Sequence, residues 1–167
     1  MRTKKHILAA TLLLASMFSA TAGKPGFAIV IDSKSYSEAK KEVDAYAKSL
    51  ENDGLHPIIL NKNVDSPESI RKQLQKLYSD KKNPIEGAVF IGDIPVPMLR
   101  DAQHLTSAFK MNQDEYPWIE SSVPSDRYYD DFDLKFDYIR QDSVQPLYHY
   151  FSLRHDSPQF LSPDIYT

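Results

Sequence analysis

The sequence predicts an α/β protein whose core is part of a doubly wound parallel sheet, with flanking helices and a β-hairpin region near the C-terminus. Two continuous apolar runs, residues 27–31 and 87–91, contain several β-branched residues and are typical of strands buried on both faces. Two amphipathic helical segments lie between these runs, and the linkers are short. Strands and helices that alternate in this way join through right-handed crossovers, so the strands are expected to be parallel.

Another predicted strand lies between the two predicted helices in the sequence. Apolar residues recur at intervals of three and four over residues 37–52, and Gly54 follows as a left-handed stop. Residues 55–60 form the next predicted strand, in which Pro57 favours an edge position because proline cannot donate a ladder hydrogen bond. The second helix begins at Ser66-Pro67-Glu68, which supplies a capping hydroxyl, a proline at the first helical position and an acidic first turn.

The second half of the chain has weaker periodicity. Prolines interrupt residues 95–125, which we interpret as a long excursion with a short helix near residues 101–109. Apolar and polar residues alternate over residues 131–138, as in a half-buried strand, and residues 147–153 can pair with it as a hairpin. The last residues, 162–167, have the composition of the start of another strand. We therefore expect the chain to be the truncated front part of a longer domain.

The first 22 residues have the composition of a cleavable signal peptide. Three basic residues precede an apolar run over residues 7–18, which is shorter than the ~20 residues needed to span a bilayer. Ala20 and Ala22 provide the small-residue spacing of a cleavage site, so cleavage is predicted after Ala22. We expect an exported bacterial protein (periplasmic, cell-surface or secreted) with one domain over residues 23–167. The alternative is an uncleaved membrane anchor.

Charge and composition exclude several classes of function. Without the three basic residues of the signal segment, 17 of the 20 lysines and arginines remain against 23 acidic residues, which gives a net charge of −6. An acidic surface argues against nucleic acid as a partner, whereas a protein or peptide partner stays open. After signal cleavage, the chain is not expected to be an integral membrane protein. The sequence contains no cysteine, which excludes disulfides and a thiol nucleophile within these 167 residues.

The carboxyl ends of the predicted parallel strands indicate a candidate substrate cleft. Asp32 follows the first strand, and Gly92 and Asp93 follow the third. Ligands of open parallel sheets bind beyond these strand ends, so the three residues are expected to lie at one site. The alternative interpretation is that both aspartates cap turns or helix starts, with Gly92 allowing the backbone to turn.

A cluster of aspartates is the densest polar feature of the chain. Its members are Asp126, Asp130, Asp131, Asp133 and Asp137. Carboxylate oxygens suit Ca²⁺, which makes Asp130, Asp131 and Asp133 candidate calcium ligands, and no other cofactor is expected. Because Asp131, Asp133 and Asp137 share the polar side of the predicted strand, a solvated face is the favoured alternative.

No other pattern in the sequence marks a catalytic centre. The four histidines after the signal segment have no close metal-ligand spacing, and His149 lies in an alternating strand where a structural role is expected. No serine occupies a Gly-x-Ser-x-Gly elbow, and no glycine-rich phosphate loop follows a strand. A Ser-His-Asp arrangement stays open, because such groups meet in space rather than in sequence.

Two segments carry a resemblance to a known family. The strand that closes in Val-Phe-Ile-Gly-Asp at residues 89–93 is followed, after the excursion, by Val-Pro-Ser-Asp-Arg-Tyr-Tyr-Asp-Asp-Phe-Asp at residues 123–133. In order and content they resemble the start of the gingipain-like cysteine peptidases, secreted bacterial enzymes with a caspase-like α/β fold. Residues 163–167, Pro-Asp-Ile-Tyr-Thr, are similar to the approach to that family's next strand. The acidic stretch lacks the glycines of the family's Asp-x-Asp-Gly pattern.

The resemblance implies the amino-terminal part of a cysteine endopeptidase domain. The family's catalytic histidine and cysteine follow later strands, so none is assigned within this sequence and the chain alone is expected to be inactive. The alternative is a noncatalytic secreted or periplasmic binding protein with an aromatic contact surface. The candidate aromatic residues, which core and hairpin packing could equally explain, are Tyr116, Trp118, Tyr128, Tyr129, Tyr148 and Tyr150.

Overall fold

Two β-sheets organise the fold in a computed structural model that describes residues 23–106 and 110–167. One sheet has three parallel strands and the other has four strands of mixed direction, with helices alongside. The mixed α/β class with a parallel sheet is therefore as predicted. The predicted signal segment, residues 1–22, lies outside the described residues, as does the end of the helix predicted near residues 101–109.

The parallel sheet has the order β2-β1-β3. Strand β1 (Gly26–Ile31) is buried along its whole length, β2 is His56–Leu60 and β3 is Ile85–Ile91. The side chains of β1 face two apolar clusters alternately, which explains why its sequence is continuously apolar. Strand β2 is at an edge, so the prediction from Pro57 is confirmed.

Helices connect the parallel strands. After β1 come α1 (Ser33–Glu38) and α2 (Lys40–Asn52), and α3 (Pro67–Tyr78) precedes β3. The sequence predicts a single helix over residues 37–52, but helix formation starts earlier because Asp32 caps α1, and the two helices are divided at Ala39. Ser66 caps α3 through a hydrogen bond from the Ser69 amide, as predicted.

The second sheet has the order β5-β4-β7-β6. Its strands are β4 (Val96–Arg100), β5 (Val123–Pro124), β6 (Phe136–Gln141) and β7 (Tyr148–Leu153). Strands β6 and β7 are antiparallel, which confirms the hairpin, but β6 begins at Phe136 and not at residue 131 as predicted. Strand β4 pairs in parallel with β7 and was missed within the predicted excursion.

Three short helical turns complete the described chain. A 3-10 turn at Gln103–Leu105 falls within the helix predicted near residues 101–109. Helix α4 is Trp118–Ser121, and helix α5 is Arg127–Asp130, within the segment that carries the family resemblance.

One apolar cluster joins the two sheets. It contains Ala28 and Ala88 from the parallel sheet together with Leu99, Phe151 and Leu153 from the mixed sheet. A second cluster lies on the opposite face of the parallel sheet, against α2. Within the described ranges, no helix has the length and apolar character needed to cross a membrane.

Candidate functional site

The carboxylate of Asp32 joins the ends of β1 and β3. One oxygen, Oδ1, accepts hydrogen bonds from the amides of Lys34 and Ser35, both at 2.9 Å. The other oxygen, Oδ2, accepts a hydrogen bond from the Asp93 amide, also at 2.9 Å. The hydroxyl of Ser35, followed by these backbone amides, lowers the pKa of Asp32 to about 2, so the carboxylate is ionised at neutral pH.

Gly92 makes this junction possible. Its φ angle is +82°, in the left-handed region that favours glycine. A side-chain Cβ at this position would lie 2.0 Å from Oδ2 of Asp32 and 2.3 Å from Oγ of Ser35. The absence of a side chain therefore allows the Asp32 carboxylate to approach the backbone at the end of β3.

The structure brings together the three residues predicted for the cleft. Asp32 and Asp93 line a cavity of about 410 Å³ at the carboxyl edge of the parallel sheet, and Gly92 lies between β3 and Asp93. Asp65 and Asn61 add polar groups to the lining, and Leu147, just before β7, adds an apolar one. The cavity thus lies between the parallel sheet and the β6–β7 hairpin.

The chemistry that this cavity can perform is limited. Asp32 is a helix cap that also accepts the Asp93 amide, and its low pKa makes it a weak proton acceptor at neutral pH. The lining residues can bind a polar group, but they include neither a histidine nor a thiol. The capping alternative is therefore observed for Asp32, while Asp93 offers an exposed carboxylate at the rim.

The solvated-face interpretation of the acidic cluster is wrong for Asp131, whereas Asp133 and Asp137 are exposed as it predicts. Asp130 and Asp131 are 0% and 1% exposed, because they precede β6 and lie under the C-terminal residues instead of on the polar side of a strand. Asp133 is exposed, and Asp126 and Asp137 are exposed as well. Burial raises the pKa of Asp130 to about 6, against the opposing effect of its ion pair with Arg127.

The C-terminal strap, residues 162–167, is what covers these two aspartates. Oδ2 of Asp131 accepts the Ser162 amide at 2.7 Å, and Oδ2 of Asp130 accepts the Thr167 hydroxyl at 3.0 Å. In return, Oδ2 of Asp164 accepts the Phe132 amide at 2.7 Å. Carboxylates on the strap and on residues 130–132 therefore accept hydrogen bonds from each other's segment, and these hydrogen bonds fix the strap in place.

The strap also pairs with the parallel sheet. Tyr166 forms a parallel bridge with Gly87, in which its amide donates to the Glu86 carbonyl at 3.0 Å and its carbonyl accepts the Ala88 amide at 2.9 Å. The Tyr166 ring lies 5.8 Å from the Phe27 ring, across the glycine. The tail thus continues the sheet beyond β3, as its sequence predicts.

Arg71 is a key residue that the sequence reasoning missed. From α3 its guanidinium donates to the carbonyls of Asp131, Phe132 and Leu134 at 2.8–3.1 Å, and also to the Tyr128 carbonyl. The same group stacks over the Tyr128 ring. The one indication in the sequence was the density of acidic and aromatic residues at 128–136, which needs donors if it is buried.

The aromatic candidates divide between core and surface. Tyr128, Tyr129 and Tyr150 are buried, whereas Tyr116 and Tyr148 are exposed. The Tyr128 ring packs 4.3 Å from that of Phe151, so the segment that carries the family resemblance lies at the junction of the two sheets. The side chain of Trp118 lies outside the described part of the chain.

Calcium ligation stays a prediction. Oδ1 of Asp130 and Oδ1 of Asp131 are buried without a hydrogen-bond partner among the described residues. Nowhere in residues 23–106 and 110–167 do three histidine, aspartate or glutamate side chains converge in a group that could hold a metal ion.

Comparison of the chain with protein-family models, with curated proteins and with solved structures gives no match. The functional interpretation therefore depends on the residues of this chain and their geometry.

Proposed function

We propose that residues 23–167 form the amino-terminal part of an exported, gingipain-like cysteine peptidase domain and carry no catalysis of their own. Export is inferred from the first 22 residues, which have the basic start, short apolar run and small-residue site of a signal peptide. The caspase-like fold is inferred from the resemblance together with the parallel β2-β1-β3 order.

The observation that carries the proposal is the position of the strap. Tyr166 pairs in parallel with the outer edge of β3, which adds a fourth position to the order β2-β1-β3. Doubly wound sheets of this order have their ligand crevice at the carboxyl ends of β1 and β3, the point where the strand order reverses. The segment that resembles the family, residues 123–133, holds the strap in this place through Asp130 and Asp131.

The chemistry of the chain supports the absence of catalysis. A cysteine peptidase needs a thiolate nucleophile, and this sequence has no cysteine. Among the carboxylates at the cleft, Asp32 is held ionised by its amide and hydroxyl donors. In the proposed domain, histidine and cysteine are supplied by strands that follow the strap, and the substrate is a peptide or protein.

The proposal is tested with two preparations. The chain of residues 23–167, purified after export, is expected to release no product from a set of fluorogenic peptides above background. The native product, isolated with an antibody against residues 23–167, is expected to cleave peptides and to lose that activity with iodoacetamide but not with a serine-directed reagent. Turnover by the purified chain, or a native product without thiol-sensitive activity, contradicts the proposal.

A second candidate function is a noncatalytic exported binding protein. It is favoured by exposed apolar residues on the β6–β7 hairpin, which are Tyr138, Ile139, Val144, Leu147 and Tyr148. Replacing Tyr138 and Val144 by serine would then remove co-purification of a specific protein from the exported fraction, while the exposed Phe160→Ser would retain it. Equal recovery with all variants excludes this function for the hairpin.

A further inference from the structure

A group of exposed lysines lies at the amino edge of the parallel sheet, where its three strands begin. Residues 79–84 connect α3 to β3 at this edge. Lys76 lies in the last turn of α3, and Lys81 and Lys82 follow in the connection, all three with exposed side chains. Lys24, just before β1, is exposed as well. We refer to these four lysines as the basic edge.

The segment before β1 packs against the same connection. A Cβ at Gly23 would lie 1.7 Å from Oδ1 of Asn83 and 2.9 Å from the carbonyl oxygen of Lys82. Gly23 is the first residue after the predicted signal cleavage, which would leave its α-amino group close to Lys82. Because an α-amino group is largely protonated at neutral pH, cleavage adds a positive charge to the basic edge.

Acidic residues at this edge are engaged within the chain. Oδ1 of Asp80 accepts hydrogen bonds from two amides of the connection, at 2.8 and 3.3 Å, and these bonds lower its pKa. Glu51 pairs with Lys48 at 2.8 Å, and Glu86 accepts the Tyr166 hydroxyl at 3.2 Å. No ion pair within residues 23–106 and 110–167 involves the lysines of the basic edge. Their charges are therefore available to an anionic partner.

The carboxyl edge of the same sheet has the opposite charge. Asp32, Asp65 and Asp93 line the cavity there, and Asp32 is ionised at neutral pH. The six residues of β1 separate the two edges by about 20 Å. Exposed charges farther apart than about 8 Å are largely screened at physiological salt, so the net negative charge of the chain does not cancel the attraction of the basic edge for an anionic surface. Repulsion of the carboxyl edge favours one orientation on that surface.

We infer that the basic edge binds the anionic headgroups of a phospholipid membrane and that the cavity at the carboxyl edge then faces away from the bilayer. A membrane is favoured over other anionic partners by the apolar run over residues 7–18, which lies just before Gly23. Insertion of this run during export brings the basic edge to the headgroups. The inference rests on the export part of the proposed function and is independent of the peptidase assignment.

The test measures binding of the exported protein, residues 23–167, to vesicles that are separated by sedimentation. Vesicles of phosphatidylglycerol and phosphatidylcholine in equal amounts are compared with vesicles of phosphatidylcholine alone. We expect the affinity for the mixed vesicles to be at least about tenfold higher, because each lysine near an anionic surface contributes about fivefold. We also expect this binding to disappear at about 1 M salt, where the Debye length is about 3 Å.

Glutamine variants test whether the basic edge is the contact. Replacing Lys76, Lys81 and Lys82 together is expected to lower the affinity for the mixed vesicles at least about tenfold. A matched control variant removes the same charge on the carboxyl side of the sheet and is expected to change the affinity less than about twofold. The exposed lysines replaced by glutamine in this control are Lys34, Lys41 and Lys62.

Two results overturn the inference: equal binding of the parent protein to both kinds of vesicle, and an equal loss of affinity in the two triple variants. Neither result bears on the peptidase assignment, which the iodoacetamide experiment decides. Selective loss in the basic-edge variant together with a native product that lacks thiol-sensitive activity would support membrane binding and remove the peptidase assignment.

Discussion

At the scale of single residues, the most restrictive position is the one where β3 ends. Gly92 combines a positive φ angle with close approach of the Asp32 carboxylate. Gly54, after α2, has a similar φ of +91°, but a Cβ at that position would have no neighbouring atom within 4 Å. A substitution at Gly54 therefore causes backbone strain alone, whereas a substitution at Gly92 causes backbone strain and steric overlap.

We predict that Gly54→Ala lowers the free energy of unfolding by about 1–2 kcal/mol, the usual cost of a left-handed alanine. Gly92→Ala is predicted to lower it by at least about 3 kcal/mol, because overpacking against Asp32 and Ser35 adds to the same strain. Urea unfolding of both variants measures the difference. Equal losses would show that the Asp32 junction tolerates a side chain.

His149 makes stability depend on pH. The side chain is 6% exposed, its Nε2 has no partner among the described residues, and burial lowers its pKa from the ordinary value of 6.5. Because the unfolded chain binds the proton more readily, the contribution of neutral His149 is present above pH 6.5 and is lost as the pH falls towards its folded pKa.

We predict that His149→Gln reduces the loss of unfolding free energy between pH 8 and pH 5 relative to the parent protein. The exposed His56→Gln is the control and should leave the pH dependence of the parent unchanged. Urea unfolding at both pH values provides the measurement. An unaltered pH dependence in His149→Gln would contradict a neutral buried imidazole.

At the scale of elements, Arg71 connects α3 to the segment before β6. Its guanidinium donates to carbonyls between residues 128 and 134, so these carbonyls do not take part in sheet pairing and β6 begins only at Phe136. Burial lowers the pKa of Arg71, with nearby acidic groups opposing this effect.

We predict that Arg71→Met lowers the free energy of unfolding by about 3 kcal/mol, because the apolar replacement leaves several carbonyls without a donor. Lys72→Met, an exposed cation on the same helix, should change it by less than about 0.5 kcal/mol. Chemical denaturation of the two variants is the measurement. A similar change in the free energy of unfolding for both variants would mean that water donates to the carbonyls in place of the guanidinium.

The sequence predicts those elements whose pattern is local. Strands β1 and β3, the helix cap at Ser66 and the β6–β7 hairpin follow from periodicity and from residues next to them in the chain. Strand β4 was missed because its parallel partner, β7, is about 50 residues away and because Pro97 within it and Pro95 just before it are typical of a loop. Burial of Asp130 and Asp131 was missed for the same reason, since their partners lie in the strap.

The position of the candidate site could be predicted from the sequence, but the role of Asp32 as a helix cap could not be decided. Strand ends placed Asp32, Gly92 and Asp93 together, because parallel strands end at the same edge of a sheet. The hydrogen bonds that make Asp32 a cap depend on the exact turn after each strand, and this geometry is not visible in the spacing of residues.

At the scale of the whole molecule, one core supports both sheets. Phe151 of the mixed sheet is 1% exposed and belongs to the same cluster as Ala28 and Val30 of β1. Its ring also contacts that of Tyr128 at the sheet junction. Damage to this core is therefore expected to loosen both sheets together.

We predict that Phe151→Ala lowers the free energy of unfolding by about 3–5 kcal/mol and accelerates amide exchange in β1 as well as in β7. Phe160→Ala, at a position 67% exposed, should leave both strands protected. Hydrogen exchange followed by mass spectrometry resolves the two strands. Faster exchange in β7 with full protection of β1 would show that the sheets unfold separately.

The central proposal, that residues 23–167 are part of a longer peptidase domain, also concerns the whole molecule. The measurement that tests it most directly is the nucleotide sequence of the gene past the codon for Thr167. We predict an open reading frame that continues with an apolar strand fitting the β3 edge and later encodes a histidine and a cysteine at strand ends. A stop codon directly after Thr167 would contradict the peptidase proposal.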